Sequence, residues 1–440
     1  MNSSANRFHF AFRALSHKNF RLFVSGQSLS LIGTWIQMVA VTWLVYRLTN
    51  SALMLGIVGF SGQLPLFVIA PFAGVLADKS SRHKLLLYTQ SLALIQALVL
   101  SLLVFTGAIQ IWQLIVLSVV LGIINAFDMP IRQAFVVEMI DNKKEDLGNA
   151  IAFNSSMVNA ARLIGPSIAG ILIATVGEGW CFLINAVSFL AVVISLLRMK
   201  IVPVLSNLPE SKVLQQLSEG FRYTFGFAPI RYLITLLGIV SLMSTSVTLL
   251  APVIAKKYLG GGADTFGFLM SAYGSGALLG AFYLLNKKSI LGLGRLIGIA
   301  VTTFGVSLII FSFSRVFVLS VIILALAGLG MMLQIASTNT LLQTLSEESK
   351  RGRVMSFYSM AFRGMSPFGS LLAGGLGSSI SAPGAIFLSG SVCLAGAVYY
   401  FIKLPVIRRI VKPIYQSMGI LPEIAEAVEQ ATNPTIKNIK

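Results

Sequence analysis

The stretch GVLADKSSRHK, residues 74–84, places five ionisable side chains among its last seven positions. It sits in a chain of 440 residues of which only 11% are charged and 56% are hydrophobic. One apolar run, 53–77, stops directly at Asp78, and another begins at residue 85. Soluble domains carry about 25% charged residues, so this charge knot is the junction between two segments that avoid water. Crossing the ~30 Å hydrocarbon core takes roughly 20 apolar residues as a helix. Helices are required because lipid offers no partner to an unpaired backbone group. Working outward from the knot gives twelve spans: 20–46, 53–77, 85–106, 111–140, 147–175, 178–198, 229–256, 264–286, 291–313, 316–345, 350–378 and 383–404. The expected fold is an all-α membrane protein with twelve transmembrane helices. The first run is itself long enough to span, so it is not read as a cleaved signal peptide. Cys181 and Cys393 stand alone in opposite halves, so no disulfide is expected.

A net charge of +18 would suggest nucleic acid in a soluble protein. Here the Lys and Arg residues sort by connection instead. With the N-terminus in the cytoplasm, twenty-six of the thirty-three fall on the cytoplasmic side, and only Arg47, Lys256, Lys257 and Arg315 fall outside. Arg132, Arg162 and Arg363 lie within spans. That bias is the positive-inside pattern, and it implies two cytoplasmic termini and no nucleic-acid partner.

The chain is also duplicated. A shift of about 200 to 211 residues brings "RLIGPSIAG" (162–170) onto "RGMSPFGSL" (363–371), each with an Arg four residues before a Pro. The expected organisation is a six-helix bundle over 1–198, a linker over 199–228, a second bundle over 229–404 and a tail over 405–440. In the linker, Val213, Leu214, Leu217, Phe221 and Phe225 share one helical face, which suits either the lipid interface or packing on the bundle. Residues 422–440 read as a short acidic amphipathic helix and a disordered end. Parallel six-span repeats of this kind form substrate sites between their halves at midplane.

The loop motif resembles the signature of the major facilitator superfamily, with Ser81 in place of a Gly and His83 inside the basic cluster. "WIQMVAVTWLVYRLTNSALMLGIVGF" (35–60), "DMPIRQAFVVEMI" (128–140) and "NAIAFNSSMVNAARLIGPSIAG" (149–170) resemble the bacterial branch containing the enterobactin exporter and related drug–proton antiporters. The resemblance implies two pseudo-symmetric six-helix bundles and a bacterial cytoplasmic (inner) membrane location. It also implies a latch in which Asp78 faces the N-terminus of span 11, Arg82 pairs with Glu138, and Gly74 lets spans 2 and 11 approach. The second-half counterpart, "GALLGAFYLLNKK" (276–288), lacks the acid, so a single latch is expected. "GPSIAG", with Gly165, Pro166 and Gly170, resembles the Gly-Pro motif of the superfamily's antiporters and points to export.

Polar residues at helical spacing mark candidate faces. Gln27, Ser30, Thr34 and Gln37 form a stripe on span 1, and Ser241, Ser244, Thr245 and Thr248 form one on span 7. Span 4 adds Asn125 and Asp128, span 5 adds Asn159 and Arg162, and span 11 adds Ser359 and Arg363. Such stripes either hold helices together or, as the resemblance implies for spans 1 and 7, line a cavity. An ionised group at the bilayer centre costs at least ~2.5–3.5 kcal/mol, so deep charges find partners or face water. Asp128 can pair with Arg162 on the neighbouring helix or with Arg132 at i,i+4. It is the one acid deep within a span, and so either a permanent ion-pair member or a proton carrier. Three deep arginines against one acid favour an anionic substrate, unless Arg363 braces the interface.

All three His lie outside the spans, at 9, 17 and 83, so His-dependent catalysis or metal binding within the membrane is not expected. No GxxxxGK[ST] loop occurs. The reading is a non-enzymatic secondary transporter without cofactor or metal, with a channel or an importer of a small anion as the alternative. It would export a siderophore-like or drug-like molecule against protons, as a monomer.

Overall fold

The computed structural model describes residues 13–79, 81–140, 143–201, 213–287, 289–348 and 350–417. Its spanning helices are α1 (Lys18–Thr49), α2 (Ala52–Lys79), α3 (Arg82–Phe105), α4 (Ile111–Met139), α5 (Lys144–Thr175) and α6 (Glu178–Leu197) in the first half. In the second half they are α7 (Ala228–Val253), α8 (Ala263–Asn286), α9 (Leu293–Phe313), α10 (Phe317–Leu345), α11 and α12 (Ala382–Ser417). The eleventh is composite: Arg351–Ser359, a π-helical turn Met360–Gly364, then Ser366–Ser379. Eleven helices are individually long and apolar enough to cross a membrane. α11 is not among them because the π turn divides it. An even number of spans puts both ends of the described chain on one face, here called the terminus face. No strand occurs among the described residues.

The duplication is visible in the packing. α1 and α3 both pack on α6, and α2 on α4; likewise α7 and α9 pack on α12, and α8 on α10. Glycines set how closely the pairs approach. A Cβ on Gly122 of α4 would run into the Gly62 carbonyl of α2, and one on Gly328 of α10 into the Tyr273 carbonyl of α8. Small residues at such crossings replace hydrophobic drive, which lipid does not supply, with close backbone contact.

Two seams join the halves, α2 against α11 and α5 against α8. In the first, a Cβ on Gly56 would lie 2.9 Å from the Gly374 Cα. In the second, a Cβ on Gly170 would lie 2.9 Å from the Gly267 Cα. Both meet near the face opposite the termini. That face is closed further by Trp43 stacked on Phe266 at 6.2 Å and by Lys256, whose Nζ donates to Asn50 Oδ1 at 3.4 Å.

One boundary differs from the sequence expectation. The last helix does not stop at 404 but continues to Ser417, because Leu404, Ile407 and Val411 recur at helical spacing and stay buried against the core. The linker helix, Val213–Gly226, touches the start of α11. The Phe221 and Phe225 rings lie 4.6 Å apart, each 6.1 Å from Phe357 of α11, and Glu219 pairs with Arg353 at 2.8 Å. The side chains of Val213, Leu214 and Leu217, and the tail 422–440, lie outside the described residues.

Candidate functional site

α5 positions the first arginine. Pro166 has no N–H, so the Arg162 carbonyl loses its helical donor. Gly274 of α8 covers that carbonyl: a Cβ there would lie 2.9 Å from the Arg162 oxygen. The same seam continues through Ser167, whose Oγ meets Ser271 Oγ at 2.6 Å. Gly165 lets Trp35 of α1 pack directly on α5, and the Arg162 guanidinium lies over that indole at 5.7 Å. Its Nε has no hydrogen-bond acceptor.

α11 positions the second. Arg363 sits in the π turn, near the middle of the helix. It is exposed, and its Nη1 reaches across to the other half, 2.9 Å from Met129 Sδ of α4. Arg162 lies near Arg363 and the buried Tyr273. Among the described residues neither arginine has an ion-pair partner. Tyr358 also lies near Arg363, and its hydroxyl donates to the Ile335 carbonyl of α10 at 3.4 Å.

On the terminus side of these arginines the α11 segment Arg351–Ser359 packs on the linker helix, α10 and α7 of its own half, and the facing parts of the two halves stand open. Ser155 and Ser156 on α5, Gln133 on α4, and Ser356 and Ser359 on α11 are exposed there. Asn159 is half-buried and donates to the Ser155 carbonyl at 3.0 Å. Exposed Ile151 and Met360 lie on the same helix faces as the arginines, so the walls are amphipathic: cations at the apex, hydroxyls and apolar side chains below.

Of the two partners the sequence leaves open for Asp128, the structure brings it to Arg132. Its other oxygen accepts from Thr89 Oγ1 at 2.9 Å and Gln90 Nε2 at 2.7 Å, both on α3. Asp128 is therefore 1% exposed and faces the interior of its own half, not the opening. Asn125, one turn away, is half-buried.

The polar stripes of α1 and α7 are mostly buried, with Thr34 exposed and Ser244 and Thr248 half-buried. Gln27, Ser30 and Gln37 are buried, and Gln37 links α3 to α6: its Nε2 donates to Gln96 at 3.1 Å and its Oε1 accepts from Asn185 at 2.7 Å. Thr34 donates to the Ser30 carbonyl at 2.7 Å. Ser241 and Thr245 are buried, Thr245 lies against Gly369 of α11, and Thr248 donates to the Thr245 carbonyl at 3.3 Å. Helical spacing fixes that residues share a face, not which neighbour the face meets, and Ser and Thr satisfy themselves on the preceding turn.

At the loop, Arg82 Nη1 lies 2.9 Å from Glu138 Oε1. α2 runs through Gly74 and Asp78, whose side-chain surroundings lie outside the described residues. Sequence reasoning missed Trp35, Tyr273, Met129 and Tyr358. The available signal was a tryptophan and tyrosines placed deep in spans, where their polar tips need partners.

The sequence profile of the transmembrane secretion effector family matches residues 10–439. The chain is 28% identical to the staphyloferrin A transporter of Staphylococcus aureus, over 87% of this chain and 96% of that protein. It is 27% identical to the multidrug efflux pump Tap of Mycolicibacterium fortuitum, over 86% and 93% respectively. It is also 27% identical to the enterobactin exporter EntS of Escherichia coli, over 93% and 95%. The fold matches that of a bacterial homologue of the lysosomal transporter Spinster in an inward-facing, unoccupied conformation, with a TM-score of 0.65 at 13% identity, covering 87% of this chain and 94% of that one. Two repeated bundles joined by glycine seams, together with a profile match along nearly the whole chain, assign this multi-pass membrane protein to the transmembrane secretion effectors of the major facilitator superfamily, a family of transporters and not of enzymes.

Proposed function

We propose that this protein exports an amphipathic organic anion, of the carboxylate- or catecholate-bearing siderophore type, from the bacterial cytoplasm by alternating access. The observation that carries the reading is the pair Arg162 and Arg363, brought together from equivalent helices of the two halves without an acidic partner among the described residues. Two uncompensated guanidiniums at the apex of an amphipathic opening suit bidentate recognition of an anion, and would repel a cationic drug. Names of relatives that handle staphyloferrin A and enterobactin support the class, and the basic bias of the terminus face supports placing that face in the cytoplasm.

Asp128 is the candidate proton carrier in this scheme. Ionised, it holds Arg132, Thr89 and Gln90; protonated, it releases Arg132. Arg82 with Glu138, and Asp78 against the start of α11, would form the latch that closes the terminus face in the alternate state. The test is accumulation in everted vesicles of an iron-free siderophore and of a cationic dye, under an imposed proton gradient. Arg162→Gln and Arg363→Gln should each cut siderophore transport at least tenfold while insertion is unchanged. Dye transport by the parent, with no siderophore transport, would overturn the anionic reading. Asp128→Asn should leave transport that no longer responds to the gradient.

A further inference from the structure

A second recessed site lies away from the opening, in the second half at the terminus face. A crevice of about 300 Å³ is enclosed by α7, α9, α10 and α12. Its wall is apolar, with Leu341, Leu404 and Ile407 among the lining side chains. Its mouth carries Arg295, Arg408 and Lys412, all exposed. No Asp or Glu occurs at 265–346 or 349–422, and among the described residues none of these three cations is in an ion pair. Within the crevice, Tyr400 is 2% exposed, yet its hydroxyl has no partner. A buried hydroxyl in that position is ready for a ligand oxygen.

Position narrows the ligand. α12 is 36 residues long, about 54 Å at ~1.5 Å per residue, against a hydrocarbon core of ~30 Å. Its last turns, which carry Arg408 and Lys412, therefore stand at headgroup depth, with the apolar slot beneath them. We infer that this crevice binds an anionic phospholipid. The phosphate sits among Arg295, Arg408 and Lys412, one acyl chain enters the slot beside Leu341, Leu404 and Ile407, and the Tyr400 hydroxyl donates to a glycerol-ester oxygen. A soluble phosphate can use the cations but gains nothing from the slot, so the site commits to lipid. Basic pockets between spans on the cytoplasmic side select acidic headgroups on the same physical grounds.

The test uses the full chain, purified and delipidated in detergent, with bound species counted by native mass spectrometry. Three probes are titrated: phosphatidylglycerol, phosphatidylcholine with identical chains, and inorganic phosphate. Phosphatidylglycerol should bind in preference to phosphatidylcholine, and each of Arg295→Gln, Arg408→Gln and Lys412→Gln should weaken it roughly fivefold. Leu404→Trp, which fills the slot, should weaken phosphatidylglycerol and leave inorganic phosphate unchanged. Tyr400→Phe, a conservative change that preserves packing, should weaken it by a smaller factor. Equal binding of the two lipids, undiminished binding by the triple cation variant, or phosphatidylglycerol binding indifferent to Leu404→Trp would each overturn the inference.

Discussion

The two halves repeat each other in backbone and differ in their polar interiors. The offset that carries Gly122 of α4 onto Gly328 of α10 also carries Asp128 onto Gln334 and Arg132 onto Thr338. In the first half that site is an ion pair braced by Thr89 and Gln90. In the second it is neutral: Gln334, Ser337 and Thr338 are all 0% exposed, and their side-chain N and O atoms have no protein partner. The backbone therefore does not dictate which residues occupy the site; one copy has become titratable and the other has not. Charge in a buried position costs several kcal/mol in desolvation, so its presence in one half alone sets this site apart from its counterpart.

The largest effect should come from breaking the charged copy. Asp128→Leu leaves the Arg132 guanidinium without its partner, which costs about 3–5 kcal/mol for a buried pair. Thermal unfolding of the detergent-solubilised protein should show a clear loss, and the double change Asp128→Leu/Arg132→Met should recover part of it. Next comes a seam. A Cβ on Gly267 would lie 2.6 Å from the Pro166 carbonyl and 2.7 Å from the Gly170 Cα. Gly267→Leu should therefore destabilise by about 1–3 kcal/mol, as overpacking does, and depress transport in the vesicle assay. The control is Ser275→Ala, half-buried on the same helix, which should leave both readouts near the parent. Smaller still is the Gln37 bridge. Gln37→Leu strands Gln96 and Asn185 and should cost about 1–2 kcal/mol. The smallest effect belongs to the neutral copy: Gln334→Leu removes polar atoms that no protein group satisfies, and should shift stability by less than about 1 kcal/mol. An equal loss from Gln334→Leu and Asp128→Leu would erase the contrast between the halves.

The spans, the repeat and the two arginines were legible because each rests on a local pattern: apolar run length, a recurring Arg-to-Pro spacing, a charge where lipid forbids one. The stripe on α1 was legible only as a shared face: Gln37 on it meets Asn185 of α6, while Thr34 is exposed, and spacing alone does not tell the two apart. The break in α11 was hidden, since a π turn at Met360–Gly364 adds no residue type that sequence rules flag. The overhang of α12 was hidden as well: the burial of Ile407 and Val411 that carries the helix past 404 depends on tertiary contact.

The glycine seams have a consequence for how such a chain diversifies. Because glycine backbones make the tightest contacts between the halves, the fit of one lobe against the other is indifferent to most side-chain change elsewhere. The lining of the opening can drift, gaining or losing bulk and charge, without disturbing the seams. A scaffold of that kind is free to exchange one cargo for another while its frame stays the same.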